Sequence, residues 1–308
     1  MSKKVAVMDL GTNTFHLLIA EGDVVNHQTL FRITEPVKLG EGGINKGIIQ
    51  PEPYQRGIVA MQQFQQQILN HGVQHVKAMA TSALRNASNG NDFIADVKAA
   101  TGITIDLISG EEEAGYIYHG VKAGGCLSPQ NSLIIDIGGG SVEFILANEN
   151  EIHWKESFEI GAARLMDKFH QTDPIPAQSI NDLDTYLENQ LSSLFEAANT
   201  YPIHNIIGSS GAFETFAKII ETDKGNFIDL KAIKGYNFDE AEFLSVTNYL
   251  IASSHQERVN NEAIAPIRVD MIVVAAILTR FIMNKLGIHV VDLSTNSLKE
   301  GVLAAMLA

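Results

Sequence analysis

The chain has 308 residues, 45% of them hydrophobic, which is enough apolar material for the cores of about two domains. Its formal net charge of −14 disfavours nonspecific nucleic-acid binding, because such binding rests on Lys and Arg neutralising phosphates. The longest apolar stretch, residues 271–283, is interrupted by Thr279 and Arg280 and predicts a buried helix rather than a membrane span.

The first half of the chain carries both strand and helix patterns. Apolar runs between Gly, Asn and Asp breaks predict three consecutive strands at residues 4–10, 15–20 and 24–34. The later patterns predict, in order, a helix at 51–72, a strand at 75–80, a helix at 91–100, a strand at 103–109 and a helix at 111–121.

A Pro-, Ser- and Asn-rich stretch, "LSPQNS" at residues 127–132, separates this half from a second one. The patterns there predict strands at 133–137, 142–147, 151–159, 203–207 and 288–293, and helices at 162–169, 178–198, 211–220, 239–251, 269–286 and 297–307. We therefore expect a first domain over residues 1–126 and a second over 127–293, with the last helix, in 294–308, packing back on the first domain.

The cysteine content and the start of the sequence bear on location. Cys126 is the single cysteine, so it has no partner for an internal disulfide and suggests a reducing compartment. The opening "MSKKVAVMDLG" leads into a strand pattern without a signal-peptide cleavage pattern. We expect a cytoplasmic protein with neither a membrane nor a nucleic-acid partner.

Two stretches of the chain align without a gap: "DLGTNTFHLLIA" at 9–20 and "DIGGGSVEFILA" at 136–147. Any two hairpins with glycine turns share glycines and apolar runs. That general likeness does not explain why an acid closes the first strand and a hydroxyl follows the turn at the same place in both. The pattern favours duplication of a functional unit.

Glycine turns of this type let successive backbone N–H groups converge on one anion, and phosphate is the obvious candidate. A helix that opens after "GSSG" would offer a further phosphate site at its N-terminus. The predicted phosphate-binding residues are Gly11, Thr12, Asn13, Thr14, Gly138, Gly139, Gly140, Ser141 and Ser210.

Three acids at the ends of the duplicated strands, Asp9, Asp136 and Glu143, would repel such a ligand on their own. They make sense as holders of Mg²⁺, a hard cation that combines carboxylates with water and phosphate oxygens. The sequence therefore predicts Mg²⁺ as the cofactor.

Eight stretches of the sequence resemble the exopolyphosphatase and guanosine pentaphosphate phosphohydrolase family of the actin, sugar kinase and Hsp70 superfamily. They are "DLGTNTFHLLIA" (9–20), "KLGEGG" (38–43), "ATSALRNASN" (80–89), "ISGEEEAGYIYHGV" (108–121), "IDIGGGSVEF" (135–144), "IGAARL" (160–165), "GSSGAFE" (208–214) and "LKEGVL" (298–303). The resemblance implies an α/β fold of two actin-like (ribonuclease H-like) domains, each a mixed sheet flanked by helices, with an interdomain cleft.

The resemblance also implies that Glu113 polarises the water that attacks the terminal phosphorus. An alternative interpretation is that the acids simply form a solvent-exposed first turn of the helix, and it suits Glu111 better than Glu113. Arg85 is the best candidate to stabilise charge on the transferring phosphoryl group, with a surface salt bridge as its alternative. The remaining basic residues considered for a track along a longer substrate are Arg164, Arg268 and Lys38.

The expected activity is Mg²⁺-dependent removal of terminal phosphate from inorganic polyphosphate. Hydrolysis of guanosine pentaphosphate, a kinase or ATP-driven chaperone, and a non-catalytic phosphate or alarmone sensor remain open as alternatives. The resemblance adds a homodimer as an expected assembly.

Some features depart from the family pattern or carry no chemistry of their own. Gly115 stands where many members have Arg, which removes a cation near the predicted base. The C-terminal helical extension of longer members is not expected here. His16 and His119 follow strand and helix patterns and are interpreted as packed or surface residues rather than ligands.

Overall fold

Two mixed β-sheets organise the chain, which we describe from a computed structural model over residues 3–24 and 26–308. The first sheet has the strand order β3-β2-β1-β4-β5, in which β1 to β3 are antiparallel and β4 and β5 continue in parallel. We call the part built around it domain I. Its elements are β1 Lys3–Leu10, β2 Phe15–Gly22, β3 His27–Glu35, α1 Pro51–Asn70, β4 His75–Ala80, α2 Ser82–Arg85, α3 Gly90–Thr101, β5 Ile105–Leu107 and α4 Gly110–Ala123.

The second sheet, that of domain II, has the order β10-β11-β9-β6-β7-β8. Its elements are β6 Ser132–Ile137, β7 Val142–Ala147, β8 Ile152–Phe158, α5 Ala162–Phe169, α6 Ala177–Gln190, α7 Ser192–Thr200, β9 Asn205–Gly208, α8 Gly211–Asp223, β10 Gly235–Asn237, α9 Glu240–Ala252, α10 His255–Asn260, α11 Ile272–Leu286 and β11 Val291–Ser294. A last helix, α12 Leu298–Leu307, follows.

The two sheets repeat one connectivity. Strands β6, β7 and β8 form an antiparallel set, as β1, β2 and β3 do, and β9 and β11 extend β6 in parallel. Only the short edge strand β10, antiparallel to β11, has no counterpart among the described residues of domain I. The predicted pair of α/β domains with mixed sheets is therefore observed.

Strand alternation divides the core into three layers. In β1, Ala6 and Met8 face the helices α1 and α3, whereas Val5 and Val7 face the opposite side. On that opposite side α4 and α12 pack together and fill the space between the two sheets. The outer face of the second sheet has its own apolar core, to which α11 contributes most of its length.

The contact between α4 and α12 depends on two glycines. A Cβ at Gly120 would lie 2.0 Å from the backbone oxygen of Ser297, and a Cβ at Gly301 would lie 1.9 Å from that of Tyr116. Non-bonded heavy atoms do not approach each other to such distances. Only glycine at these two positions therefore lets the helices pack as closely as they do. The last helix thus packs on α4 and also contacts β1.

Several elements differ from the sequence-based predictions. The single helix predicted over 178–198 is two helices, because Leu191 leaves helical geometry at ψ 22° while its side chain is fully buried. Strand β3 begins at His27, and residue 25 of the predicted strand lies outside the described residues. Strand β10 and the short helices α2 and α10 were not predicted. No helix in the described part of the chain is long and apolar enough to cross a membrane.

Candidate active site

A cavity of about 850 Å³ lies between the two domains. Every predicted site residue except Arg85 contributes to its wall: Asp9, Gly11, Thr12, Asn13, Thr14, Glu113, Asp136, Gly138, Gly139, Gly140, Ser141, Glu143 and Ser210. The structure therefore brings together residues that are spread over two hundred positions of sequence, about the same cavity.

The turns between β1 and β2 and between β6 and β7 have the same shape. In the first, the amide of Gly11 donates to the carbonyl of Thr14 at 3.0 Å. A Cβ at Gly11 would lie 3.1 Å from the Thr14 oxygen, and a Cβ at Gly138 would lie 3.0 Å from the Ser141 oxygen. Equal geometry at aligned positions supports the interpretation that the unit was duplicated.

The two turns face and touch each other. A Cβ at Gly139 would lie 2.4 Å from Asn13 Nδ2, and a Cβ at Gly140 would lie 2.6 Å from Thr12 Oγ1. A side chain at either position would have to displace the side chain of Asn13 or of Thr12, so the glycines allow the close approach of the turns. The two turns thereby meet at one region of the cavity wall, which we call the apex.

Strand register places one pair of acids at this apex and a third acid beside a histidine. Asp136 lies opposite Glu143 across β6 and β7, while Asp9, its counterpart in domain I, lies opposite His16 across β1 and β2. The duplicated unit thus carries a carboxylate at 143 where the first copy has an imidazole. Asp136 Oδ2 accepts a hydrogen bond from Ser209 at 2.8 Å.

These carboxyl groups have raised pKa values. Burial is the main cause for Asp9 and for Glu143, and it raises the pKa of each to about 7, with a further contribution from the charge of Asp136. The pKa of Asp136 is also raised by burial, against the opposing effect of hydrogen bonds from Ser297 and Ser209. The apex therefore concentrates negative charge that the protein itself only partly compensates.

Glu113 lies in the first turn of α4 and is buried, unlike Glu111 and Glu112. The helix begins with a capping box between Ser109 and Glu112, which fixes the first turn and aims Glu113 into the cavity. Burial, followed by the charge of Glu143, raises the pKa of Glu113 well above its usual range.

Arg85 lies behind Glu113 rather than on the cavity wall. Its Nη1 lies 3.2 Å from Glu113 Oε2 and 3.1 Å from the carbonyl oxygen of Ile108, and its Nη2 lies 3.3 Å from Glu159 Oε1. The guanidinium is therefore engaged by protein groups. Its predicted contact with the phosphoryl group stays a prediction.

Of the three residues considered for a basic track, the cavity wall includes Arg268 but neither Arg164 nor Lys38. Arg164 donates to the carbonyl oxygens of Gly140 and Ile44, each at 2.7 Å, and so ties the second turn to domain I. Arg268 forms an ion pair with Glu214 at 3.1 Å.

Sequence reasoning overlooked several residues of the wall. His16 is a cavity residue whose ring nitrogens lie 2.9 Å from Thr14 Oγ1 and 2.8 Å from Thr34 Oγ1. Burial, aided by Lys299 and Arg268, lowers its pKa well below the usual range, so the ring is neutral and supports the first turn. The sequence signal for this position was its alignment with Glu143.

A second overlooked group lies at the start of α12. Ser297 donates to Asp136, and the Lys299 ammonium lies 3.4 Å from Glu300. The charge of Lys299 lowers the pKa of Asp9, so it compensates part of the acidity of the apex. The motif "LKEGVL" marked this segment, but gave no indication of which site it would reach.

Gly115 does not contribute to the cavity wall. A Cβ at this position would lie 3.3 Å from Lys155 Nζ, which donates to the backbone oxygen of Glu111 at 2.7 Å. A cation from β8 therefore occupies the place beside Gly115 where an arginine side chain would begin.

The acids of the apex fit a hard cation that is only partly coordinated by protein. No group of three or more His, Cys, Asp or Glu side chains in residues 3–24 and 26–308 forms a ready-made metal site. Mg²⁺ commonly uses one or two carboxylates and takes its remaining ligands from water and phosphate. The buried acids beside the two glycine turns, whose pKa values are raised, match that kind of donor set.

Comparisons with known proteins agree with this architecture. The model of the "Ppx/GppA phosphatase family" matches residues 18–308. A Haemophilus influenzae protein named "Putative exopolyphosphatase" is 26% identical over 310 residues, which cover 99% of this chain and 91% of that protein.

Solved structures are similar over the same extent. The crystal structure of an exopolyphosphatase from Cytophaga hutchinsonii matches with a TM-score of 0.95 and 39% identity, covering 99% of this chain and 98% of that one. An Aquifex aeolicus member of the Ppx/GppA family matches with a TM-score of 0.83 at 22% identity, over 100% and 98% of the two chains, and shows the fold.

The predicted resemblance and the predicted fold class of two actin-like α/β domains are thereby confirmed. The predicted class of enzyme, a phosphoric anhydride hydrolase, is confirmed as well. Both the repeated sheets and the family match extend over nearly the whole described chain, and the chain belongs to the Ppx/GppA phosphatase family.

Proposed function

We propose that the chain is an exopolyphosphatase, which releases the terminal phosphate of inorganic polyphosphate as orthophosphate in a Mg²⁺-dependent reaction. The observation that carries this proposal is the meeting of two glycine turns in a cavity that also holds the buried carboxylate of Glu113. The turns suit phosphate oxygens and the carboxylate suits activation of water. The exopolyphosphatase name of the 39%-identical relative supports the same substrate.

Glu113 would orient the attacking water. The water oxygen forms a bond to the terminal phosphorus, the bond from that phosphorus to the bridging oxygen breaks, and Glu113 accepts the proton that the water loses. Phosphoryl transfer needs positioning and charge stabilisation more than covalent help. A buried carboxylate with a raised pKa is a stronger base than an exposed one once it is deprotonated.

Arg85 would keep Glu113 in place and ionised. Its guanidinium lies 3.2 Å from the carboxylate and lowers the pKa that burial has raised. Glu159 holds the other side of the same guanidinium, at 3.3 Å, and also accepts from Ser82 at 2.7 Å. We therefore assign Arg85 the role of a positioning residue for the base.

The phosphates would be held by the two turns, residues 11–14 and 138–141, through backbone N–H groups and the hydroxyls of Thr12, Thr14 and Ser141. Ser210, at the N-terminus of α8, lies on the same wall and its hydroxyl accepts from the amide of Ile137 at 3.2 Å. These donors are already in place, so little reorganisation accompanies binding.

Asp136 and Glu143, with Asp9 from the first strand of domain I, would hold Mg²⁺ directly or through water. The ion would neutralise charge on the phosphate oxygens when it is bound. The three carboxyl groups would be ionised in that state, because a nearby cation lowers the pKa values that burial raises.

A side-by-side assay of orthophosphate release tests the proposal on long polyphosphate, tripolyphosphate, guanosine pentaphosphate and ATP, each with Mg²⁺ or with chelator. We expect Mg²⁺-dependent release from both polyphosphates and none from ATP. Orthophosphate release from guanosine pentaphosphate alone would make that nucleotide the substrate instead of polyphosphate. Phosphate transfer from ATP would indicate a kinase. Binding of long polyphosphate without release of orthophosphate would indicate a sensor.

We also propose a cytoplasmic location and a homodimer. The first rests on the lone cysteine, Cys126, which is a free thiol among the described residues. The second rests on the family resemblance. Light scattering on the purified chain at several concentrations measures the assembly, and a constant monomer mass would reject the dimer.

A further inference from the structure

Three lysines line the cavity: Lys218 on α8, and Lys231 and Lys234 on the segment that leads into β10. We call these residues the lysine arm. None of them forms an ion pair with any residue of the described chain. Lys224, which lies between them in sequence and outside the cavity, is paired with both Glu221 and Glu242.

Helix α8 sets the separation between the arm and the apex. Its first residue, Gly211, follows Ser210, whose hydroxyl accepts from the amide of Ile137, the residue just before the second glycine turn. Lys218 comes seven residues after Gly211, which corresponds to roughly 10 Å along the helix at 1.5 Å per residue. Lys218 therefore lies beyond the reach of a single phosphate bound at the apex.

Charge is distributed unevenly along the cavity. The carboxyl groups of Asp9, Glu113, Asp136 and Glu143 lie at the apex, and the wall residue Arg268 is paired with Glu214. The three lysines add positive charge without an ion-pair partner in a protein with a net charge of −14. A local basic region on an acidic protein concentrates anions where they are needed.

We propose that the lysine arm binds the phosphates of the substrate that lie beyond the one being cleaved. This inference rests on the proposed function, because it assumes a substrate whose terminal phosphate is at the apex. Lysines are flexible point charges and suit a chain of repeating phosphates, which has no fixed geometry to match. Added contacts along the chain increase affinity with chain length.

The test compares the parent with the triple variant Lys218→Met, Lys231→Met, Lys234→Met on long polyphosphate and on tripolyphosphate. We expect the KM for long polyphosphate to rise about tenfold or more, since three exposed charge contacts together contribute on that order. The rise for tripolyphosphate should be much smaller because the short chain does not extend to the arm. Lys46→Met, an exposed lysine outside the cavity, is the matched control.

Equal KM changes for the two chain lengths, or no change for long polyphosphate, would overturn the inference while leaving the proposed function standing. A parent that cleaves neither polyphosphate contradicts the proposed function instead. In that case calorimetric binding of long polyphosphate decides on the arm: weaker binding by the triple variant than by Lys46→Met supports it, and equal binding overturns it. A KM rise only for guanosine pentaphosphate would reassign the arm to the phosphates of a nucleotide.

Discussion

The guanidinium of Arg85 lies 3.2 Å from the carboxylate of Glu113, although Arg85 does not line the cavity that Glu113 faces. The two residues are 28 positions apart and come from α2 and α4. Both lie in stretches that resemble the family, but the sequence suggested separate roles for them. Their contact makes the proposed base and its counter-ion one unit, and the first two predictions address that unit.

Glu113→Gln should lower kcat for polyphosphate by on the order of 10²–10³, because the amide cannot accept the proton from water. Binding should persist, since the amide keeps the shape of the side chain. Orthophosphate release and calorimetric binding measure the two effects. Glu111→Gln, an exposed acid in the same helical turn, is the control and should behave as the parent does. Parent-like turnover by Glu113→Gln would reject the mechanism.

Arg85→Met should move the acidic limb of the kcat/KM profile to higher pH. The Arg85 charge lowers the pKa of Glu113, so its removal raises that pKa, and a higher pH is then needed to ionise the base. We expect kcat at neutral pH to fall about tenfold to a hundredfold. Arg85→Lys keeps the charge and should return the limb towards the parent position. An unshifted limb in Arg85→Met would mean that the arginine does not act through Glu113.

Gly140→Ala should weaken phosphate binding by separating the two turns. The added Cβ would lie 2.5 Å from Ser82 Oγ and 2.6 Å from Thr12 Oγ1, so α2 or the first turn has to give way. We expect KM to rise about tenfold, with a smaller fall in thermal stability. Gly115→Ala is the control, because its Cβ would meet only the flexible end of Lys155. Unchanged KM in Gly140→Ala would show that the contact between the turns is dispensable.

Asp9→Asn should stabilise the metal-free protein at pH 8 by about 1–3 kcal/mol and have little effect near pH 4. The pKa of Asp9 is about 7 in the folded chain and about 3.9 in an unfolded one, so the folded state binds more protons between these values. Stability from this group is thus present below about pH 4 and is lost as the pH rises through 7. Urea unfolding with chelator measures the difference.

The exposed variant Asp223→Asn is the control for this series and should show no such pH dependence. Mg²⁺ should recover more stability in the parent than in Asp9→Asn at pH 8, since ion binding favours the ionised acid. Equal stability of parent and Asp9→Asn across the whole pH range would contradict the assignment of a strained buried charge at this position.

Sequence periodicity predicted most of the strands and long helices, because their apolar faces repeat at the spacing of the element. It failed at Leu191, where a buried leucine continues the helical pattern although the backbone leaves helical geometry. The short helix α10 was missed even though Ser254 and Glu257 form a capping box that is visible in sequence. Short elements bury little surface, so local patterns alone identify them poorly.

The site was predictable where the chemistry is local and not where it depends on contacts between distant segments. The duplicated turns and the acids beside them stand out as aligned residues. Lys299 and Glu159 do not, because their roles depend on reaching Asp9 and Arg85 across the fold. His16 lies between these two cases. Its alignment with Glu143 pointed to a position in the cavity, but the change from carboxylate to imidazole hid that relationship.

The position of α12 has a consequence for synthesis of the protein. Residues 295–300, which line the cavity and supply the Ser297 hydroxyl to Asp136, and the wall residues Leu303 and Ala304 are translated after every other part of that wall. The helix that carries Glu113 is made nearly two hundred residues earlier and has no α12 to pack against until then. A chain still growing on the ribosome therefore has both glycine turns but an open, unfinished cavity, so assembly of the site is deferred until translation reaches α12.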